Sequence, residues 1–537
     1  MRFGRKRLLT AMMLGALCLS VGVSALAQNQ GGTLTIGFGT RLDTLDTFRS
    51  ALAAPLKILG LVCDTLFAFD NDLRPQPVLV ESWTQAENGL EWSFKLKEGI
   101  TFHDGTPFNA QQLKDYLWGF FIDQSFTGWM FSAVEDMVVT GEYTIDFVLS
   151  EPSPLLLFNL AYPWNIIQPK GAYDEYGDRY GFDALVGTGP FVFDEWVQGE
   201  KIVLKRNPNY THGPDFVGNQ GPAFLDGIVF RILPEPATLI NELRFGNVDL
   251  VVGLPTTHLD VVEGDTNLTV MSRPSYYSQF LEFNMDRPIT NDWLVRNAVN
   301  HAIDREALIN AAWSGAAAVS YGLVAPASFG YWPGIVDFGK EILTYDPDAA
   351  VRLLEQAGWM LPAGGRVREK NGERLKVKLV TTNSPTYQTL GEATVAMLQE
   401  VGFEVELFTF ELASYYSVAL EGDWDLMHMA WIDESGYSVL QSKATIAGIE
   451  GGTNDARYRD AALDSLITLA QTTTDPEMRE AAMATAQQKI VADLVYVPMT
   501  VPLSYLGAKT GRVGGLDGLS QHPWWLDLML GLDLYIK

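Results

Sequence analysis

The sequence predicts an α/β protein of two or three domains. Its 537 residues are too many for one compact core, and 47% of them are hydrophobic, enough to fill several. Leu375, Val377 and Leu379 alternate as a strand, Leu390 to Val401 is amphipathic and ends at Gly402, and Phe403, Val405 and Leu407 alternate again. Such a strand, helix, strand unit implies parallel pairing through a right-handed crossover. Gly and Pro are spread along the chain without repeats or low-complexity tracts, as in a globular protein.

At the amino terminus Arg2, Arg5, Lys6 and Arg7 precede an apolar run from Leu8 to Val23 and the triplet Ala25-Leu26-Ala27. This is the pattern of a secretory signal peptide over residues 1–27, cut before Gln28, and the run is short for a membrane span. Cys18 lies inside the run, but Gly15-Ala16-Leu17 lacks the small residue expected directly ahead of a lipid-modified cysteine, so a soluble product is expected. Cleavage leaves Cys63 alone, which excludes an intramolecular disulfide. Flanked by Leu61, Val62 and Leu66, Cys63 reads as a small buried hydrophobe. Losing four basic residues and no acid takes the net charge from −27 to −31. That balance argues against nucleic acid or an anionic membrane as partner. The apolar stretch from Val495 to Leu506 is broken by Pro498 and Pro502 and is too short to span a bilayer.

Further elements follow from local pattern. Thr33 to Gly39 reads as a first strand; its Gly37-x-Gly39 lacks the third glycine and following helix of a dinucleotide loop. Trp92, Phe94 and Leu96 predict a half-buried strand, turned by Glu98-Gly99 into a hairpin with Ile100 to Phe102. Asp104-Gly105 and Thr106-Pro107 form turns, and Asn109 with Gln112 fits an N-cap for a helix through Leu113 and Leu117. Phe191 to Trp196 and Lys201 to Lys205 suggest a hairpin through Gln198-Gly199. Val295, Ala298, Val299 and Ala302 share one helical face. Asp346 caps a helix with Pro347 at its first position and Gly358 as its stop. A helix from Leu412 to Leu420 stops at Gly422, and Trp424 to Trp431 makes the next strand.

Several blocks carry a resemblance. LEWSFKLKEGITFHDGTPFNAQQL, GTGPFVFDEWVQGEKIVLKRNPNY, Leu239 to Val252, Phe283-Asn284 with Asp292 to Arg305, and Val495 to Met499 together resemble extracytoplasmic solute-binding protein family 5, the oligopeptide, dipeptide and nickel receptors of ABC importers. The resemblance covers about residues 31 to 510; the tail with Pro523-Trp524-Trp525 is less familiar. It implies a two-lobed periplasmic binding protein, class II-like and of the large cluster C type, with an extra subdomain in the N-terminal half. Lobe I would comprise residues 28–70, 185–275 and 500–537, the extra subdomain 71–184 and lobe II 276–499. Two crossings between lobes make a hinge. The implied partners are a peptide or small-molecule ligand and an inner-membrane permease with its ATPase. The implied product is a periplasmic monomer without catalysis, cofactor or metal.

The sharpest ligand candidate is Trp431-Ile432-Asp433-Glu434-Ser435-Gly436-Tyr437, just beyond the carboxyl end of an inferred strand, where α/β sheets bind ligands. In peptide-binding relatives the matching stretch runs Trp, two residues, Asp, and soon Asp-Pro, and the Asp pairs with the peptide's amino group. Spacing from Trp431 puts the match on Glu434, with Asp433 one residue early, and the Asp-Pro is missing. A carboxylate there would hold an amine, and Trp431 would pack on the ligand. Tyr437, and Tyr276 and Tyr277 at the inferred hinge, complete the candidate set. The arginine that grips the ligand carboxylate in dipeptide receptors is replaced by Thr382-Asn383-Ser384-Pro385, favouring a longer peptide or another amine-bearing solute. The alternatives are a nickel chelate, opine or sugar conjugate, or, more remotely, a secreted hydrolase. No G-x-S-x-G, P-loop or H-E-x-x-H motif is present, and the six histidines are scattered.

Overall fold

The computed structural model describes residues 30–49, 54–125, 127–519 and 528–537. Residues 1–27, expected to be a signal peptide and containing Cys18, and the Pro523-Trp524-Trp525 tail lie outside the described residues. The chain forms two compact units. Unit 1 is Met1–Glu151, Leu155–Met271 and Tyr505–Lys537; unit 2 is Pro152–Pro154 and Ser272–Ser504.

Unit 1 contains, in order, β1 (Thr33–Phe38), β2 (Val80–Gln85), β3 (Glu91–Leu96), β4 (Val134–Gly141), β5 (Thr144–Leu149), β6 (Phe191–Val197), β7 (Lys201–Arg206), β8 (Gly227–Ile232) and β9 (Leu250–Val252). β1 lies between β8 and β9 and is parallel to both, while β8, β7 and β6 continue antiparallel. β2, β3, β5 and β4 form a separate antiparallel sheet in that order. The alternation at Trp92, Phe94 and Leu96 buries all three side chains, as their spacing requires.

The expected hairpin after β3 does not form. Residues 100–108 instead close on themselves, Phe102 N–H donating to Thr106 O (2.8 Å) and Phe108 N–H to Ile100 O (2.9 Å). β3 is already paired on both sides by β2 and β5, so the residues after left-handed Gly99 have no free edge of β3 to pair with. The loop docks elsewhere: His103 N–H donates to Gly187 O (2.9 Å), and its Nε2 lies 3.0 Å from Gly189 O. A Cβ on Gly187 would fall 2.2 Å from Val62 O, so only glycine permits this approach. Helix α1 (Ala110–Tyr116) opens as expected, Asn109 Oδ1 accepting from Gln112 N–H (3.0 Å). Cys63 is buried, and burial holds its thiol far above the ordinary range. Helix α2 (Pro236–Phe245) joins β8 to β9 and ends at left-handed Gly246.

Unit 2 contains β10 (Tyr277–Phe283), α3 (Trp293–Ala302), α4 (Pro347–Gln356), β11 (Lys376–Thr382), α5 (Pro385–Glu400), β12 (Glu404–Phe410), α6 (Leu412–Glu421), β13 (Leu426–Ile432) and α7 (Gly436–Ala444), then the part of β14 (Tyr496–Lys509) up to Ser504. The strand order is β12, β11, β13, β10, β14. β11 is parallel to β12 and β13, whereas β10 runs antiparallel to β13 and β14. Asp346 caps α4 and accepts from Ala349 N–H (2.9 Å). The expected face of α3 packs into one apolar core with Leu281, Phe283, Leu379, Leu390, Leu398 and Leu426. α5 covers the sheet face of His428, whose Nε2 lies 3.0 Å from Thr394 Oγ1. α6 reaches the opposite face, where the Tyr415 hydroxyl is 3.4 Å from Met429 Sδ. The two helices joining these parallel strands therefore lie on opposite faces, and the carboxyl end of β11 is a switch point.

Candidate functional site

The candidate site is built on the carboxyl edge of unit 2's parallel strands. β11 ends at Thr382 and β13 at Ile432, and antiparallel β10 begins there, with Tyr277 opposite Ile432. In the turn after β11, Asn383 N–H donates to Phe410 O (2.8 Å) and Pro385 opens α5.

The loop after β13 is held on both sides. Asp433 Oδ1 accepts from Ser435 N–H (2.8 Å) and Oδ2 from the Ser438 hydroxyl (2.6 Å). Ser328 donates its hydroxyl to Asp433 O (2.6 Å), Phe329 N–H donates to Glu434 O (2.7 Å), and Gly436 N–H donates to Phe329 O (2.7 Å). Burial raises the Asp433 carboxyl above the usual range, opposed by Ser438, the Ser435 amide and Trp431. Trp431 Nε1 is buried and completes no hydrogen bond. Both Asp433 oxygens are thus engaged within the loop, and this acid fixes the entry to α7.

Trp431 rests on a buried ion cluster. Lys443 Nζ lies 5.4 Å from the Trp431 ring centre, 2.9 Å from Asp455 Oδ2 and 3.3 Å from Glu282 Oε1. The Lys443 and Glu282 side chains are 0% exposed. Burial would lower the Lys443 ammonium, but Glu282 and Asp455 together outweigh it and raise it. The Glu282 carboxyl is pushed up to about 7, mainly by burial, with Lys443 opposing and Asp455 adding. Neither Glu282 oxygen completes a hydrogen bond.

The tyrosines divide. Tyr437 lies inside α7, 3% exposed and stacked on Phe329 at 5.5 Å, with its phenol pushed up to about 12 by burial. It faces packing, because Ser435 caps the helix and turns the chain inward. Tyr276 is half-buried; burial raises its phenol, Glu434 adds to the rise and Arg273 opposes it. That coupling places Glu434, Tyr276 and Arg273 in one electrostatic neighbourhood. The Tyr277 hydroxyl is 3.0 Å from that of Tyr387 in the first turn of α5, and Tyr416 of α6 acts on both. Tyr387 and Tyr416 were not among the residues expected from sequence. The available signal was Leu412, Tyr416 and Leu420, an apolar row at helical spacing beside the buried Tyr415 and Ala419.

Unit 1 has its own feature of this kind. A recess of about 180 Å³ lies at the carboxyl ends of β1 and β9, lined by Phe38, Thr40, Pro236, Leu239, Val252 and Gly253 among others. It sits where β8, α2 and β9 cross over β1.

Comparison with known proteins agrees with this architecture. The model of the bacterial extracellular solute-binding proteins, family 5, middle region, matches residues 74–440. The nickel-binding periplasmic protein of Escherichia coli (strain K12) is 26% identical over 456 residues, 82% of this chain and 84% of that protein. The oligopeptide-binding protein AppA of Bacillus subtilis (strain 168) is 24% identical over 533 residues, 94% of this chain and 93% of that protein. HbpA2 from Haemophilus parasuis shares the fold with a TM-score of 0.80 at 19% identity, covering 94% of this chain and 100% of that one. The chain belongs to the bacterial extracellular solute-binding proteins of family 5. It is the substrate-binding component of an ABC importer, with the two-lobed periplasmic binding protein fold, in a family of binding proteins rather than enzymes. Among the described residues no helix is long and apolar enough to cross a membrane.

Proposed function

We propose that the protein captures a peptide or related amine-bearing solute on the loop after β13, in the periplasm after cleavage before Gln28, and delivers it unaltered to an inner-membrane permease and its ATPase. The observation that carries this reading is the hydrogen-bonded acidic loop after β13, on the carboxyl edge of unit 2's parallel strands. Asp433 spends its carboxylate shaping that loop, and Glu434, beside Tyr276, supplies the charge that meets the ligand's ammonium. A relative named for oligopeptides supports a peptide ligand and one named for nickel supports the alternative; the acid at this position favours the peptide.

Calorimetric titration with a free and an N-acetylated tripeptide tests the assignment. A charge-assisted hydrogen bond contributes about 1.5–3 kcal/mol, so acetylation of the amine and Glu434→Ala should each weaken binding by roughly 10- to 100-fold. Equal affinity for the free and acetylated peptides would refute it.

A further inference from the structure

Building on the peptide reading, we propose that Tyr277, Tyr387 and Tyr416 form a subsite that takes an aromatic side chain of the bound peptide. The start of β10 and the first turn of α5 bring Tyr277 and Tyr387 within hydrogen-bond distance, and the middle of α6 sets Tyr416 within their electrostatic reach, where α5 and α6 leave for opposite faces of the sheet. Tyr277 and Tyr387 pair their hydroxyls at 3.0 Å, and each is raised chiefly by burial and further by Tyr416. In that pair one hydroxyl donates and the other accepts, and the ring faces and edges remain to meet an apolar guest.

The rim is apolar and open. Tyr416 is 51% exposed, Leu412 one turn before it 56%, and Ile432 opposite Tyr277 60%, while neighbouring Tyr415 is in the core. Apolar surface left open at the place where an α/β sheet receives ligand marks a contact surface. Offset and edge-on ring packing selects an aromatic guest over an aliphatic one of similar size. Ile432, opposite Tyr277 in the sheet, lies two residues before Glu434 on the same strand end. The subsite therefore adjoins the amine anchor, and the aromatic residue belongs near the peptide's amino end.

Calorimetric titration of the purified full chain with Ala-Phe-Ala and Ala-Ala-Ala tests the subsite. Ala-Phe-Ala should bind at least ten-fold more tightly, Tyr416→Ala should reduce that preference to two-fold or less, and Tyr416→Phe should keep it. Tyr416 is half-exposed, so the melting temperature of each variant should stay close to wild type. If the wild-type protein binds both peptides with equal affinity, the subsite is overturned and the peptide receptor stands. If neither peptide binds, both fall.

Discussion

Glu282→Gln is expected to flatten the pH dependence of unit 2's stability. Two buried carboxylates, Glu282 and Asp455, share one buried ammonium, Lys443, so one negative charge is uncompensated when both acids ionise. The excess appears at Glu282, whose carboxyl rises from 4.5 to about 7. A shift of that size corresponds to about 3 kcal/mol, at about 1.4 kcal/mol per pH unit. Because the folded value lies above the unfolded one, the contribution is fully present below about pH 4.5 and is lost as pH rises through about 7. Gln keeps the shape of the side chain and removes the titration. Melting temperatures measured at pH 5 and pH 8 should therefore fall by roughly 6 °C more in the wild type than in the variant, for a unit of this size. Groups outside this cluster titrate equally in both proteins and cancel in the difference. Parallel pH profiles would show that folding does not shift the titration of Glu282, and would refute the charge count in the cluster.

Two further outcomes follow from packing. Gly187→Ala would drive a methyl group onto the Val62 carbonyl and Cys63, backbone that cannot yield, and should cost about 3 kcal/mol; a lowered urea midpoint checks this, and an unchanged one would contradict the contact. Cys63 should escape alkylation by iodoacetamide in the native protein and react once the chain is denatured, as peptide mapping would show.

Much of the fold was legible because its periodicities are strong. The helices at Trp293–Ala302 and Pro347–Gln356 and the parallel pair at Lys376–Thr382 and Glu404–Phe410 each carry a repeat that one burial face explains. The hairpin expected at Ile100 to Phe102 failed because a three-residue apolar run does not separate a strand from a tight loop. Docking of His103 against Gly187 and Gly189 decides the matter, and that contact spans more than eighty residues. The loop from Trp431 to Glu434 was legible from its place after a strand. Tyr387 and Tyr416 were not: the open row Leu412, Tyr416 and Leu420 marks a surface without naming what it faces, and Tyr387 in the first turn of its helix carries no pattern of its own. Only the crossover topology brings Tyr387 to Tyr277, 110 residues away. Tyr437 shows the converse: it reads as part of the loop, but Ser435 begins a helix and carries it inward. The pairing of Glu282 with Lys443 and Asp455 had no local signal, since an isolated acid within an apolar strand does not announce its partner.

The most direct measurement is mass spectrometry of small molecules released when protein purified from a periplasmic extract is denatured. The account expects peptides with free amino groups, enriched in aromatic residues near the amino end and chemically intact, at up to one per chain. Release of a metal chelate or a sugar conjugate in their place, or recovery of cleaved products from a peptide added to the native protein, would contradict it.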